Sequence, residues 1–93
     1  MTPNATIELR LYKAGNAPNS VRAVANALAL CNEHGQTQQC ELEIIDVLEY
    51  PWRALQDGVL VTPTLLRIRP KPTVRVIGDL SERNTVLVAL DMA

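Results

Sequence analysis

The sequence predicts a single α/β domain whose strands and helices follow the order βαβαββα. Residues 6–12 alternate between apolar and polar side chains, which is typical of a strand with one buried face. Residues 21–33 carry apolar side chains at helical spacing, and a second strand pattern follows at residues 41–48. A chain of 93 residues allows one hydrophobic core, so we expect one domain over residues 1–93.

The first half of the chain predicts a βαβ unit. Its first strand, Thr6–Tyr12, is expected to turn Ile7, Leu9 and Leu11 towards the core. The helix is expected over Val21–Glu33, and the second strand over Glu41–Leu48. The two strands should be parallel, with a right-handed crossover between them. The side chains expected to form the buried helix stripe are Val21, Val24, Ala25, Leu28 and Cys31.

Turn-forming residues set the expected ends of that helix. Lys13 to Ser20 form a loop, in which Asn19 or Ser20 can accept a hydrogen bond from a first-turn amide as the N-cap. His34 and Gly35 supply a stop, because glycine readily takes the left-handed conformation that ends helices.

The second half predicts a short helix, a hairpin and a final helix. Pro51 to Asp57 form the short helix, which Gly58 closes. The hairpin strands, Thr64–Arg69 and Thr73–Ile77, flank Pro70-Lys71-Pro72. Ser81 can cap the last helix, but Thr85–Leu90 is rich in apolar and β-branched residues that favour a strand as readily as a helix. This segment is therefore conformationally ambiguous.

Composition excludes several classes of partner. The formal net charge is −1 and the only aromatic side chains are Tyr12, Tyr50 and Trp52, so the basic surface and stacking platforms of a nucleic-acid binder are missing. No apolar run reaches the roughly 20 residues that span a bilayer, and Met1–Asn4 lacks the basic start of a signal peptide. We expect a soluble, cytoplasmic protein without nucleic-acid or membrane partners.

The side chains that could carry chemistry do not form a catalytic set. The loop before the first helix holds no cysteine, and Cys31 and Cys40 are not spaced as a Cys-x-x-Cys pair. We expect Cys31 to be a small buried apolar residue, and both thiols to be reduced. His34 is expected to help satisfy the last carbonyl groups of the helix. Cys31-x-x-His34 alone is only weak evidence for a metal site. The prediction is a protein that is not an enzyme and has no cofactor, metal or catalytic residues.

Basic side chains cluster on the predicted hairpin, whereas acidic ones crowd the middle of the chain. One interpretation is that these charges are solvated and protect strand edges against pairing. The alternative is an asymmetric surface that orients a protein partner. The hairpin cations are Arg67, Arg69, Lys71 and Arg75.

Thr62-Pro63-Thr64 interrupts the apolar run of residues 59–66, where a proline needs a specific reason. This tripeptide resembles the cis-proline loop of the thioredoxin-like fold, which implies a cis Thr62–Pro63 bond. Four segments in register are also similar to the KaiB family of circadian clock proteins. They are Leu11–Ala23, Ile45–Leu48, Val61–Leu65 and Ile77–Arg83.

The KaiB resemblance implies a non-catalytic regulator that binds the ring of a KaiC-like ATPase and then a KaiA-like protein. It also implies two folds, the thioredoxin-like βαβαββα form and an alternative ground-state form of order βαββααβ, with self-association as a dimer or tetramer. The sensor domain of the histidine kinase SasA is similar but less close. That similarity keeps open a thioredoxin-like adaptor for another partner, such as a histidine kinase.

The resemblance also selects residues. The partner-binding candidates that match the family motif are Lys13, Gly15, Asn16, Pro18, Asn19 and Arg22. The candidates for a conformational switch or a structural role are Pro63, Pro70, Pro72, Ala89 and Asp91. The uncatalysed isomerisation of the three prolines takes tens to hundreds of seconds, which would make exchange between the folds slow.

Two departures from the family are relevant. Clock KaiB proteins commonly have glycine where this chain has Ala89, and glycine in a helix costs about 0.8–1 kcal/mol relative to alanine. We therefore predict a shift towards the thioredoxin-like form. The sequence ends at Ala93 without the acidic tail of clock KaiB proteins, which suggests a divergent paralogue that works outside a standard clock.

Overall fold

In the computed structural model, residues 6–34 and 38–92 are described. The elements are β1 (Ile7–Lys13), α1 (Pro18–His34), β2 (Cys40–Asp46), α2 (Pro51–Gln56), β3 (Thr64–Arg69), β4 (Val74–Ile77) and α3 (Arg83–Ala89). The predicted order βαβαββα is confirmed. The expectations for Met1–Asn4, Gly35 and Ala93 lie outside the described residues.

The strands form one sheet in the order β2-β1-β3-β4. β1 and β2 are parallel as predicted, while β3 runs antiparallel to β1 and β4 antiparallel to β3. β1, β2 and β4 therefore end at the same edge of the sheet at which β3 begins. We call the four loops that meet there the loop edge, which comprises residues 14–17, 47–50, 57–63 and 78–82.

Helices cover both faces of the sheet. On one face, Leu9, Leu11 and Leu65 pack in a cluster with buried residues of α1 and α3. On the other face, Tyr12 and Leu66 pack with Ala54 of α2. Neighbouring residues of one strand therefore pack into the cores on opposite faces of the sheet, because strand side chains point alternately to the two faces. The prediction that Ile7, Leu9 and Leu11 are buried is confirmed.

The predicted buried stripe of α1 is largely wrong. Val21 and Leu28 are 53% and 51% exposed, and Ala25 is exposed as well. The buried residues are instead Ser20, Ala23, Ala27, Leu30 and Cys31. Alanines at 23 and 27 let the helix backbone approach the sheet closely, so the helix packs through its smallest side chains and turns two of its larger ones outwards. The spacing of hydrophobic residues in the sequence had instead predicted that the neighbouring face of α1, which is exposed, would be buried.

The predicted caps of α1 and α3 are also wrong. α1 begins at Pro18, whose fixed φ suits the first helical position, so Asn19 and Ser20 lie inside the first turn. The Ser20 hydroxyl accepts a hydrogen bond from the Ala14 amide at 3.0 Å. α3 begins at Arg83, and the Ser81 amide donates to Asp79 Oδ1 at 3.0 Å. Neither serine therefore caps a helix. Each instead forms a hydrogen bond with a residue of the adjacent loop.

The other element boundaries shift by up to two residues from those predicted. β2 ends at Asp46 because Asp46 Oδ1 accepts hydrogen bonds from the Gly15 and Leu48 amides, which turns the chain. α2 begins at Pro51, and Gly58 follows it with φ +67°, as the predicted stop requires. The ambiguous segment Thr85–Leu90 is helical through Ala89 in this fold.

Cys31 and Cys40 form a disulfide, so the prediction of two free, reduced thiols is wrong. Cys31 lies near the end of α1 and Cys40 is the first residue of β2, and their Cα atoms are 5.5 Å apart. The helix carries the chain back to the edge where parallel β2 begins, which brings together two residues separated by nine positions. Local spacing could not reveal this pairing.

The Thr62–Pro63 peptide bond is cis, as predicted. The Arg69–Pro70 and Lys71–Pro72 bonds are cis as well, which was not predicted. Pro63 is buried, and its carbonyl accepts a hydrogen bond from the Gly78 amide at 3.0 Å, which joins two loops of the loop edge. Within residues 6–34 and 38–92, no helix is long and apolar enough to cross a membrane.

Candidate partner-binding edge

The β1–α1 loop is fixed to the turn after β2. Gly15 has φ +52°, and its amide donates to Asp46 Oδ1 at 3.1 Å. A Cβ atom at this position would lie 3.1 Å from the end of the Leu48 side chain, so the positive φ and this close contact both favour glycine. Hydrogen bonds from the Leu48 and Gly15 amides, followed by the charge of Lys13, hold the pKa of Asp46 below its usual value.

A second set of contacts ties α1 to the β4–α3 loop. Arg22 Nε lies 3.1 Å from Asp79 Oδ2, and the Asn26 side-chain amide donates to the Asp79 carbonyl at 2.8 Å. Arg22 also donates to the Asn19 side chain. Hydrogen bonds from Ser81, together with one from Arg22, lower the pKa of Asp79. The link therefore involves a carboxylate that is ionised at neutral pH.

The six partner-binding candidates lie together in space. Lys13, Gly15 and Asn16 belong to or adjoin the β1–α1 loop, and Pro18, Asn19 and Arg22 occupy the exposed first turns of α1. The switch candidates divide between two ends of the molecule. Pro63 lies in the loop edge, whereas Pro70, Pro72, Ala89 and Asp91 lie at the opposite end, in the β3–β4 turn and at the end of α3.

The sequence interpretation missed a group of exposed large apolar side chains within residues 48–61, which begins at Leu48 beside Gly15. Tyr50 and Trp52 stack edge to face with ring centroids 5.5 Å apart, and Leu55 lies three residues beyond Trp52 on the same side of α2. Leu60 and Leu55 are 90% and 76% exposed. We call these exposed side chains of the β2–α2 turn, α2 and the α2–β3 loop the apolar patch, which comprises Leu48, Tyr50, Trp52, Leu55, Leu60 and Val61. The sequence did contain a signal for exposed apolar side chains. Large apolar or aromatic residues are frequent in α2 and next to it, and a helix this short cannot bury them all.

A polar network beneath α2 fixes its position on the sheet. The buried Tyr12 hydroxyl donates to Asp57 Oδ2 at 2.5 Å, and Arg10 Nη1 lies 2.9 Å from the same oxygen. Arg53 forms an ion pair with Glu43 at 2.7 Å, and Glu43 also pairs with Arg10 at 3.1 Å. Burial and the hydrogen bond to Asp57 raise the pKa of Tyr12 to about 12. This network thereby holds α2, which carries Trp52 and Leu55 of the apolar patch, in one orientation.

Arg67 corrects the interpretation of the hairpin cations as solvated charges. It is 5% exposed, and its guanidinium donates to the Leu90 carbonyl at 2.6 Å and to the Pro72 carbonyl at 2.8 Å. A cation at the carboxyl end of a helix is favoured by the helix dipole. Arg69, by contrast, is exposed and pairs with Glu8 at 3.2 Å. Arg67 therefore holds the end of α3 against the β3–β4 turn.

The last turn of α1 contributes to the same end of the molecule. His34 Nε2 lies 2.6 Å from the Met92 carbonyl oxygen, so the His34 side chain contacts the segment after α3. Arg83 at the start of α3 forms an ion pair with Glu33. α1 thus contacts the first residue of α3 and the segment that follows α3.

Known proteins resemble the whole chain. The KaiB domain family matches residues 10–92. The circadian clock oscillator protein KaiB of Synechococcus elongatus is 46% identical over 92 residues, which cover 99% of this chain and 89% of that protein. The KaiB protein of Prochlorococcus marinus (strain MIT 9312) is 47% identical over 92 residues, which cover 99% of this chain and 87% of that protein.

Solved structures agree on the fold. The N-terminal domain of Synechococcus elongatus SasA superimposes with a TM-score of 0.76 at 22% identity and covers 100% of this chain and 90% of that one. Fasciola hepatica thioredoxin gives a TM-score of 0.72 at 19% identity, covering 92% and 83%. These likenesses show a thioredoxin-like fold. The extent of the family match, and the identity to the clock proteins, show that this chain belongs to the KaiB family.

Proposed function

We propose that this KaiB-family chain is a non-enzymatic regulatory protein that binds a KaiC-like ATPase ring through its loop edge. Binding would modulate circadian or stress-related signalling in the cytoplasm. The observation that carries the proposal is that the KaiB domain family matches residues 10–92. The loop edge is supported as the binding surface because the partner-binding candidates from the sequence lie in the β1–α1 loop and the first turns of α1.

The apolar patch has the chemistry of an interface core. Monomeric proteins rarely expose large contiguous apolar surfaces without a binding role. Tryptophan and tyrosine are enriched at interface centres, where they bury a large area at a low cost in conformational entropy. Trp52 is 55% exposed in the patch. It is the side chain from which we expect most of the binding energy.

Charged groups border this surface. Lys13 and Arg22 lie at the β1–α1 loop and the first turns of α1, and each has an acidic partner within the chain. Both are positioned by those partners, yet Arg22 is 54% exposed in its side chain. We expect such charges at the rim to set the orientation and rate of association more than the affinity.

Substitution of Trp52 tests the proposed surface. We expect Trp52→Ala to weaken binding to a KaiC-like hexamer about 30-fold or more, because hot-spot truncations cost about 2 kcal/mol or more. Binding would be measured by co-elution and by titration, with ATP and with ADP present. Leu28→Ala is the matched control, since Leu28 is 51% exposed on the outer side of α1, away from the loop edge.

Two outcomes would contradict the proposal. One is that no KaiC-like ring from the same organism binds the wild-type chain with either nucleotide. The other is that Trp52→Ala and Leu28→Ala bind equally well, because the apolar patch would then have no special role.

Fold switching belongs to the same proposal. We expect the thioredoxin-like form to bind the ring and then a KaiA-like protein, and the alternative βαββααβ form to be a minor state that can self-associate. The helical conformation of Ala89 supports the predicted preference for the first form, since alanine is the better helix former.

A second candidate function is an adaptor or sensor module for a histidine kinase. The similarity of the fold to the SasA N-terminal domain favours it. Pull-down with a KaiC-like ring and with histidine kinases of the same organism separates the two. Retention of a kinase without any ring would favour the adaptor.

A further inference from the structure

We propose that Cys31 and Cys40 are a reversible redox site, and that its oxidation state sets the stability of the C-terminal segment, residues 90–92. The two residues are bonded in the structure, and the chain contains no other cysteine. Oxidation therefore has one intramolecular product, and reduction has one dithiol product.

The two cysteines differ in accessibility. Cys31 is 8% exposed in the core between α1 and the sheet, whereas Cys40 is only partly buried at the first position of β2. β2 is an edge strand, so its outer side is not covered by another strand. Cys40 is therefore the cysteine that we expect a small thiol or disulfide to reach first, with Cys31 resolving the mixed disulfide.

The folded backbone keeps the two residues close in either state. Cys40 pairs with Ile7 in the parallel ladder, and the Ile7 amide donates to the Gln39 carbonyl at 2.8 Å. On the helix side, the turn that precedes Cys31 is anchored by the buried Ala27 and Leu30. These contacts do not depend on the disulfide, so we expect the reduced chain to fold and to remain ready for oxidation.

The exchange balances with a glutathione-type disulfide as the oxidant. The Cys40 thiolate attacks one sulfur of the oxidant, whose S–S bond breaks, and one small thiol leaves with a proton. The Cys31 thiolate then attacks Cys40 Sγ and displaces the second small thiol, which takes another proton. Two electrons pass from the protein to the oxidant. Excess reduced thiol reverses both steps.

The disulfide and the C-terminal segment share one apolar cluster. Cys31, Leu90 and Met92 are buried members of it, and Cys40 packs against it. One turn beyond Cys31, His34 Nε2 lies 2.6 Å from the Met92 carbonyl oxygen. The disulfide ties this last turn of α1 to the sheet. Its reduction lets the turn move, which weakens the surface on which residues 90–92 rest.

This site is distinct from the dithiol of thioredoxin-type enzymes. Such enzymes activate a cysteine at the amino end of a helix, where the dipole lowers its pKa. Here the pair lies at the carboxyl end of α1, and the loop before α1 holds no cysteine. The pair is therefore a modification site of this chain, and it does not depend on the proposed ATPase partner.

The test compares the chain equilibrated in oxidised glutathione with the chain equilibrated in reduced dithiothreitol. Alkylation followed by intact mass analysis should add no groups to the first sample and two to the second. The oxidised chain should melt about 10–20 °C higher, since short-loop disulfides stabilise domains of this size by that order. Amide exchange at Leu90 and Met92 should be faster in the reduced chain.

The double variant Cys31→Ala, Cys40→Ala is the control. It should fold, melt near the reduced wild type, and show no response to either reagent. The proposal is overturned if the oxidised monomer still takes two alkyl groups, or if oxidation joins two chains. It is equally overturned if the two redox states melt at the same temperature, or if amide exchange at residues 90–92 is identical in both.

Discussion

The Tyr12 hydroxyl connects the sheet to the residue that ends α2, through its 2.5 Å hydrogen bond to Asp57. Its pKa is raised to about 12, from an ordinary value of about 10, so the folded chain keeps the proton longer than the unfolded chain as pH rises. This contribution to stability is complete below about pH 10 and is lost as pH rises through 10 towards 12.

We predict that Tyr12→Phe lowers the free energy of unfolding at pH 8 by about 1–2 kcal/mol, because it leaves Asp57 short of a hydrogen bond. The alkaline loss of stability as pH rises from about 10 towards 12 should also become shallower than in the wild type. Urea unfolding at several pH values measures both effects. Tyr50→Phe, at a 44% exposed position, is the control and should change neither. A wild-type pH dependence in Tyr12→Phe would contradict this assignment.

Arg67 is a buried cation that serves two backbone carbonyls. Arg67→Met keeps most of the volume but leaves the Leu90 and Pro72 carbonyls without their donors. We predict a loss of about 2–4 kcal/mol in the free energy of unfolding, since each buried unsatisfied group costs about 1–3 kcal/mol. Denaturant titration measures this loss.

Arg69→Met is the matched control in the same strand. Its ion pair with Glu8 is exposed, and such pairs contribute about 0–1 kcal/mol. Equal destabilisation by the two substitutions would show that Arg67 has no special role at the end of α3.

At the scale of elements, the sequence predicted the strands, but it did not predict which face of a helix is buried. β1 shows strict alternation, and its three predicted core residues are buried. α1 offers apolar side chains on more than one face, so only the close approach allowed by Ala23 and Ala27 decides which face is buried. Which face of α1 is buried depends on its contact with the sheet, and the local sequence of the helix carries no information about that contact.

α3 is the element whose conformation the sequence left open. Its β-branched residues suit a strand or a helix, and tertiary contacts decide between them. In this fold Val86 is buried in the cluster between the sheet and the helices, and Arg67 holds the carbonyl of the residue that follows α3. The helical state is thus selected by contacts with distant parts of the chain.

Ala89 provides a direct test of that balance. We predict that Ala89→Gly destabilises the fold described above by about 0.8–1 kcal/mol relative to the alternative fold, through the helix propensity of glycine. The population of the alternative form should rise about fivefold, as measured by NMR amide peaks across temperature and concentration.

Ala29→Gly is the control, because it introduces the same substitution at an exposed position of α1, which lies outside the half proposed to rearrange. It should lower overall stability without raising the population of the alternative form. A single set of amide peaks in Ala89→Gly, unchanged from the wild type, would contradict the proposed equilibrium.

At the scale of the whole molecule, the sequence predicted half of the candidate site. The motif residues of the β1–α1 loop could be identified because they are contiguous in sequence. The members of the apolar patch are also close in sequence, within residues 48–61, but only the fold shows that they are exposed. The disulfide was missed for a different reason, since its cysteines meet only through the βαβ crossover.

The two ends of the molecule have different proposed roles. The loop edge and apolar patch form the proposed partner surface, whereas the opposite end contains Arg67, the β3–β4 turn, the disulfide and the residues after α3. The sheet and α1 connect them, since Arg22 contacts the β4–α3 loop at one end of α1 and His34 contacts Met92 at the other. Rearrangement of the C-terminal half would therefore alter the partner surface.

The rate of binding to a KaiC-like hexamer tests most directly whether this chain acts as a KaiB-type regulator in the fold described here. With the hexamer in excess, we predict a single association phase whose rate rises in proportion to hexamer concentration, because the competent fold is already dominant. Absence of binding would contradict the function. A rate that reaches a plateau at low hexamer concentration would contradict the dominant fold, because conversion from another form would then precede binding.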